Sequence, residues 1–327
     1  MSKKIICLAL GAMLLALSFP ADAQQPKKVP RIGFLSSTSP STISARVEAF
    51  RQGLRELGYV EGKNIVIEYR YAEGKLDRLS ELATELVRLK VDVIVSAGPP
   101  NTRSAKQATA TIPIVMGFDD DPVGSGFAAS LSRPGGNITG LATLSPEISG
   151  KQLELLREIA PKFSRVAVLG NATQPGHPQA LREINLAADA FGVPLQYLEV
   201  RGPKDIETAF RAASKERADA VLVVSTPVLL SQRRQVADLA VKSRLPTIYG
   251  RPEYVEDGGL MFYGVSYTDL FRRAATYVDK ILKGVKPAEL PIEQPKKFEL
   301  IINLKAAKQI GLTIPPNVLV RADKVIK

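Results

Sequence analysis

The second half of this chain repeats the plan of the first. Arg31-Ile32 opens a strand-like run that ends at Leu35, and Arg165-Val166 opens another that ends at Leu169. Leu57-Gly58 closes an amphipathic stretch, as does Phe191-Gly192. Asp92 leads into Val93-Ile94-Val95-Ser96, and Asp219 into Ala220-Val221-Leu222-Val223-Val224-Ser225. Ile112-Pro113-Ile114 is echoed by Leu245-Pro246-Thr247. Any one pair is common in α/β chains. Four in the same order, offset by 134, 134, 127 and 133 residues, predict two lobes of similar topology.

Within each half, short apolar runs alternate with helical stripes. Val47, Phe50, Leu54 and Leu57 share one helix face, and Leu76, Leu79, Leu82, Leu86 and Leu89 another. Strands are expected at 31–35, 64–69, 91–95 and 112–118. This alternation predicts α/β lobes with doubly wound parallel sheets covered by helices. The last 70 residues or so fall outside the repeat. They carry a stripe of Tyr267, Leu270, Phe271, Ala274, Val278 and Ile281, a linker with Pro287, Pro291 and Pro295, and a strand at Phe298–Ile302. Such a tail is placed to recross between the lobes.

The amino terminus has the layout of a secretory signal peptide. Lys3 and Lys4 precede an apolar run from Ile5 to Phe19, and Ala21-Asp22-Ala23 forms a small-residue cut site before Gln24. The run is shorter than the ~18–20 residues that span a bilayer. Removal after Ala23 takes away Cys7, the only cysteine, so the mature chain has no disulfide, thiol nucleophile or thiolate ligand. A periplasmic or otherwise extracytoplasmic location follows. With 45% hydrophobic residues, the remaining 304 residues can fill buried cores. The net charge of +11 becomes +10 once Lys3, Lys4 and Asp22 are gone. Its basic residues are interspersed with acidic ones, as in Lys204-Asp205-Ile206-Glu207, and no aromatic–basic interleaving marks a base-stacking groove. Nucleic acid is therefore not an expected partner.

In doubly wound sheets, ligands bind beyond the carboxyl ends of the strands. The loops there offer Ser36, Ser37, Ser96, Asn101 and Asp121 in the first half. The second half offers Asn171, Ser225, Thr226, Tyr249 and Tyr254. Most of the hydroxyl and amide residues are expected to cap the next helix, and about a third to touch ligand as well. No catalytic set stands out. His177 is the only histidine, no G-x-S-x-G elbow or H-E-x-x-H motif occurs, and Asp119-Asp120-Asp121 lacks the spaced oxygens of a calcium loop. No enzyme activity, cofactor or metal is expected. Gly124-Ser125-Gly126-Phe127-Ala128-Ala129 matches G-x-G-x-x-A, but it follows the fourth strand, and Arg133-Pro134-Gly135-Gly136 interrupts any helix behind it. A dinucleotide site needs the first strand–helix turn and a long helix.

Several segments together carry a family likeness. They are Phe50-Arg51-Gln52-Gly53-Leu54 with Leu57-Gly58-Tyr59, Asp121-Pro122-Val123-Gly124-Ser125-Gly126, and Arg133-Pro134-Gly135-Gly136-Asn137-Ile138-Thr139-Gly140. Ile302-Asn303-Leu304-Lys305-Ala306-Ala307 and Gly311-Leu312-Thr313-Ile314-Pro315 complete the set. On these, the chain resembles the solute-binding proteins of ABC transporters, in the branch related to tryptophan/phenylalanine-type binders, from Pro30 to Lys327. The resemblance implies a type I periplasmic-binding fold, with two lobes joined by a three-segment hinge and closing on a small polar ligand. Residues 24–142 and 265–290 would form the first lobe, and 143–264 and 291–327 the second. The hinge would lie near Leu141–Ser145, Gly258–Ser266 and Pro287–Pro295. It further implies a monomer that delivers its ligand to the membrane subunits of an ABC permease. Asp121 corresponds to the acidic residue that faces the cleft, and Ser96 and Asn101 to the third-strand loop. For an amino-acid ligand, Asp121 would take the ammonium, and Ser96 with nearby helix N-termini the carboxylate. Two other classes share the fold expectation: a ligand-sensing module for a membrane signalling receptor, and a cleft hydrolase.

Overall fold

The computed structural model describes residues 28–143, 145–161, 164–174 and 177–327, with the backbone alone over 145–147. The signal-peptide expectation for residues 1–23 lies outside the described residues. The first half runs β1 (Arg31–Ser36), α1 (Pro40–Glu56), β2 (Val66–Tyr71), α2 (Leu79–Arg88), β3 (Val93–Ser96), α3 (Pro99–Ala108), β4 (Ile114–Asp119) and β5 (Ile138–Ala142). These strands form one parallel sheet in the order β2-β1-β3-β4-β5.

The second half follows the same plan. It runs α4 (Ser145–Ile159), β6 (Val166–Gly170), α5 (His177–Phe191), β7 (Leu195–Glu199), α6 (Pro203–Lys215), β8 (Ala220–Val223), α7 (Pro227–Ser231), α8 (Arg233–Lys242), β9 (Thr247–Tyr249), α9 (Glu253–Glu256) and β10 (Met261–Val265). Its parallel part is ordered β7-β6-β8-β9-β10, the same order as the first sheet. The expected duplication is thus a duplication of topology. In each sheet the strand order reverses beside the first strand, at β1/β3 and at β6/β8.

The tail completes both halves. After β10 come α10 (Tyr267–Leu282), β11 (Phe298–Asn303), α11 (Leu304–Gln309), α12 (Pro316–Leu319) and β12 (Lys324–Ile326). Helix α10 returns to the first sheet. Its Tyr267, Leu270, Phe271, Ala274, Ala275 and Val278 share a buried core with Ile43, Val47, Phe50 and Leu54 of α1. Ser266 caps the helix by accepting from the Asp269 amide. The two helices approach closely at Gly53, where a Cβ would lie 2.3 Å from the Arg272 carbonyl oxygen. The chain then runs beside the edge of the first sheet. Ala142 donates to Glu293 (2.9 Å) and Ile292 to Leu131 (2.7 Å). Strand β11 pairs antiparallel with β10 and parallel with β12 in the second sheet. The chain therefore passes between the sheets three times: after β5, after β10 and before β11. Among the described residues no helix is long and apolar enough to cross a membrane.

Candidate functional site

Where the two halves meet, charged and aromatic groups replace the aliphatic core. Strand β4 is fully buried and ends Phe118-Asp119, with its register to β5 shifted between Met116 and Asp119. Such irregularities re-aim side chains at the end of a strand. The Phe118 ring meets Tyr267 edge-on at 5.0 Å. It also packs so closely against Gly98 that a Cβ there would lie 2.8 Å from the ring. Arg251, between β9 and α9 of the second half, lays its guanidinium over both rings, 4.5 Å from each centroid. Arg46 of α1 lies 4.5 Å from the same Tyr267 ring centre. Arg46 also pairs with Glu253 at the start of α9, and Arg251 lies 3.8 Å from Asp120. Two charged contacts thus cross the junction in opposite senses.

These groups are deeply placed. The Arg46 and Arg251 side chains are 12% and 11% exposed. Burial, with Arg251 nearby, brings Arg46 down to about 10. Burial also acts to lower Arg251, but Tyr267 and Asp120 outweigh it, and its pKa is raised. Burial drives the Tyr267 phenol up to about 12. Asp119 is fully buried, and its own desolvation with Asp120 beside it pushes the carboxyl up to about 7. Its Oδ1 accepts from the Asp121 amide (2.9 Å) and the Ser125 hydroxyl (3.2 Å), whereas Oδ2 has no hydrogen-bond partner. Among the described residues Asn101 Oδ1, Gln196 Oε1, Glu253 Oε2, Ser225 Oγ and the Tyr249 and Tyr254 hydroxyls are also buried without one. Buried polar atoms are ordinarily paired, and all of these but Gln196 lie at or just beyond the carboxyl ends of β3, β4, β8 and β9.

The ligand residues expected from the sequence also make local contacts. Ser36 Oγ shares a hydrogen bond with Thr38 Oγ1 (3.0 Å), and the Ser37 carbonyl accepts from Gly74 (2.7 Å). Ser96 Oγ is tied to Thr102 Oγ1 (2.7 Å), and Asn101 Nδ2 donates to Ala97 (2.7 Å). Asn171 Oδ1 accepts from the Thr173 amide and hydroxyl (3.0 and 2.6 Å), and Thr226 caps α7 through the Leu229 amide (3.0 Å). Tyr249 and Tyr254 are fully buried and stacked, 4.7 Å apart, in the second core. Asp121 lies two residues beyond β4, and its Oδ1 accepts from the Gly124 amide (2.8 Å). The turn engages one oxygen of that carboxylate, and the aspartate that approaches Arg251 is Asp120, whose Oδ1 accepts from the Thr143 hydroxyl (2.7 Å). The G-x-G-x-x-A segment is this turn, and no helix follows it.

Neither the residues that meet at this junction, Arg46, Phe118, Asp120, Arg251, Glu253 and Tyr267, nor the adjacent Asp119 is among the ligand residues expected from the sequence. Two of them left a trace. Arg46 shares the apolar register of Ile43, Val47 and Phe50, where a charge needs a partner. Asp119 ends an otherwise apolar strand. His177 is structural. Nδ1 accepts from the Asn171 amide (3.4 Å), leaving Nε2–H to donate to the Ser225 carbonyl (3.3 Å). The ring thereby bridges the loops after β6 and β8, and burial lowers its pKa. Among the described residues no group of three or more His, Cys, Asp or Glu is arranged to hold a metal ion.

The chain is similar to known proteins over most of its length. A family model described as "ABC transporter substrate binding protein" matches residues 32–326. A tyrosine-binding protein of Clostridioides difficile (strain R20291) is 25% identical over 287 residues, covering 88% of this chain and 82% of that protein. A conserved domain protein of Vibrio cholerae O1 biovar eltor superposes with a TM-score of 0.82 at 30% identity, over 91% of this chain and 100% of its own. An ABC domain from Streptococcus pneumonia, solved in complex with L-Trp, gives a TM-score of 0.82 at 26% identity, over 91% of this chain and 99% of its own.

Proposed function

Because the chain belongs to the ABC transporter substrate-binding protein family and has a type I periplasmic-binding-protein-like fold, we propose that it captures an α-amino acid, of the aromatic kind, between its lobes and hands it to an ABC permease. The observation that carries this reading is the junction of Arg46, Glu253, Arg251, Asp120, Phe118 and Tyr267, with the buried Asp119 next to Asp120. It offers charges of both signs and aromatic faces in one place. A zwitterion with an aromatic side chain complements all three. Two relatives are named for, or solved with, tyrosine and tryptophan, and the relatives' names speak of binding rather than of a reaction.

The ammonium is held at the acidic end of β4 by Asp119 and Asp120, because a charge-assisted bond orients it strongly. Asn101, Ser225, Tyr249 and Tyr254, which keep unused hydrogen-bonding capacity, complete the contact set. The three passages between the sheets serve as the hinge, near 141–145, 258–266 and 287–295. The lobes they join are 24–142 with 265–290, and 143–264 with 291–327. Closure brings both lobe surfaces into the register that the permease reads. The protein works as an exported monomer without cofactor, after cleavage behind Ala23.

A thermal-shift screen of the full chain against the twenty amino acids, purines and sugars tests the reading. A ligand at a hundredfold excess over its Kd stabilises by about 2.7 kcal/mol. Aromatic amino acids are expected to raise the unfolding temperature. A response confined to sugars or purines overturns the reading.

A further inference from the structure

In a doubly wound sheet the usual seat for a ligand carboxylate is the N-terminus of a helix that follows a strand. Here that seat lacks its donors. Helix α3, which leaves the β1/β3 switch point of the first lobe, begins Pro99-Pro100, and neither residue has an N–H. The next amide, Asn101, donates to Gly98 (3.1 Å), and the Ser96 hydroxyl is tied to Thr102. At the matching place in the second lobe α7 begins with Pro227, and the Leu229 amide is taken by Thr226. Helix α1 begins with Pro40, and its Thr42 amide donates to Ser39. At α3 the expectation that Ser96 and the helix N-terminus hold a carboxylate therefore meets donors that are missing or already engaged, and α1 and α7 each lose at least two first-turn donors in the same way.

Arg251 has the opposite imbalance. A guanidinium carries five N–H donors in a planar fork. The Arg251 side chain is nearly buried, yet its carboxylate neighbour, Asp120, stands at 3.8 Å, beyond hydrogen-bond distance. Tyr267 is its other polar neighbour. The Phe118 and Tyr267 rings cover the guanidinium and fix its plane. A buried charge held this way calls for an anion. Arg46 faces the same Tyr267 ring at the same distance, so the two guanidinium groups lie within twice 4.5 Å of each other. Arg46 already has Glu253. The surplus donors therefore belong to Arg251, while the surplus acceptors, Asp119 Oδ2 and Asn101 Oδ1, lie in the first lobe.

We propose that Arg251, held in the notch between Phe118 and Tyr267, is the carboxylate-binding and specificity-determining residue of the ligand site, and that Arg46 supports it from the first lobe. The inference rests on the amino-acid reading above. It selects ligands with a free α-carboxylate and rejects their decarboxylated amines. Because Arg251 belongs to the second lobe and its aromatic seat to the first, carboxylate capture is also a contact that closure makes.

Titration calorimetry on the full chain with L-tyrosine and tyramine tests this, using wild type, Arg251→Lys, Arg251→Gln and Ser96→Ala. Hydrogen bonds to charged groups contribute enough that wild type should bind tyramine at least about a hundredfold more weakly than L-tyrosine. Arg251→Gln should bring that ratio close to one. Arg251→Lys, which keeps the charge but loses the fork, should fall between. Ser96→Ala should keep the wild-type ratio. An unchanged ratio in Arg251→Gln overturns the inference and leaves the amino-acid reading standing. The same holds for Arg251→Lys should the glutamine variant fail to fold. Collapse of the ratio in Ser96→Ala alone would return the carboxylate to the third-strand loop. If the wild type bound none of the twenty amino acids, the underlying reading would fall, and this inference with it.

Discussion

Replacing Asp119 by asparagine should make the protein more stable at neutral pH while leaving its stability in acid nearly unchanged. Asp119 is fully buried, and its carboxyl is pushed up to about 7 by burial and by Asp120. In the unfolded chain it titrates near 3.9. Between these values only the unfolded state loses the proton, so stability falls as pH rises, by about 1.4 kcal/mol per unit. Over the full window this amounts to about 4 kcal/mol, with relaxation around the charge making that an upper bound. Above the folded value both states are ionised and the loss is complete. Asparagine keeps the acceptor for the Asp121 amide and the Ser125 hydroxyl and has no charge to bury. The chain has no tryptophan, so far-UV circular dichroism in urea at half-unit steps from pH 4.5 to 8 is the suitable assay. The gap between variant and wild type should open steadily up to about pH 7 and then stay constant. Parallel stability curves would refute the reasoning. The same titration has a functional face. A ligand ammonium beside Asp119 favours its ionised form, so wild-type affinity for L-tyrosine should tighten by up to about tenfold per pH unit between pH 5 and 7.

Three further outcomes are expected. Gly53→Ala puts a methyl 2.3 Å from the Arg272 carbonyl, so α1 and α10 must separate. Overpacking costs about 1–3 kcal/mol against a helix-propensity gain of up to about 1 kcal/mol, so urea unfolding should show a net loss, with Gly136→Ala, which meets nothing within 4 Å, as the neutral control. His177 has its pKa lowered by burial, so its contribution is complete above about pH 6.5 and is lost as pH falls through the folded value. His177→Gln should lose less stability than wild type between pH 7.5 and 5, and an identical loss would dismiss the bridge between the β6 and β8 loops as its origin. In calorimetry with L-tyrosine, Asp120→Asn should weaken binding about tenfold to a hundredfold and Asp121→Asn much less, because the Gly124 turn holds Asp121; the reverse order would restore Asp121 as the ammonium ligand.

What the sequence determined by itself is local or repeated. The apolar run of β1 and the stripe of Val47, Phe50 and Leu54 need only their own neighbours to be read, because burial imposes periods of about two and 3.6 residues. The matching strand order of the two sheets follows from a repeat visible as four landmarks. Capping was legible for the same reason: Thr226, one of the hydroxyl residues expected to cap, bonds the amide three residues on. Tertiary structure alone decided which side chains meet at the junction. Arg46 and Glu253 are 207 positions apart, and Arg251 reaches rings on β4 and α10 that no local pattern brings together. Their pairing exists only because α10 returns to the first sheet while β11 crosses to the second. The choice among Asp119, Asp120 and Asp121 was likewise beyond the sequence. A shifted register at the end of β4 and one turn amide settle which carboxylate is buried and which is already engaged, and adjacent residues of one type carry no mark that separates them before the chain has packed.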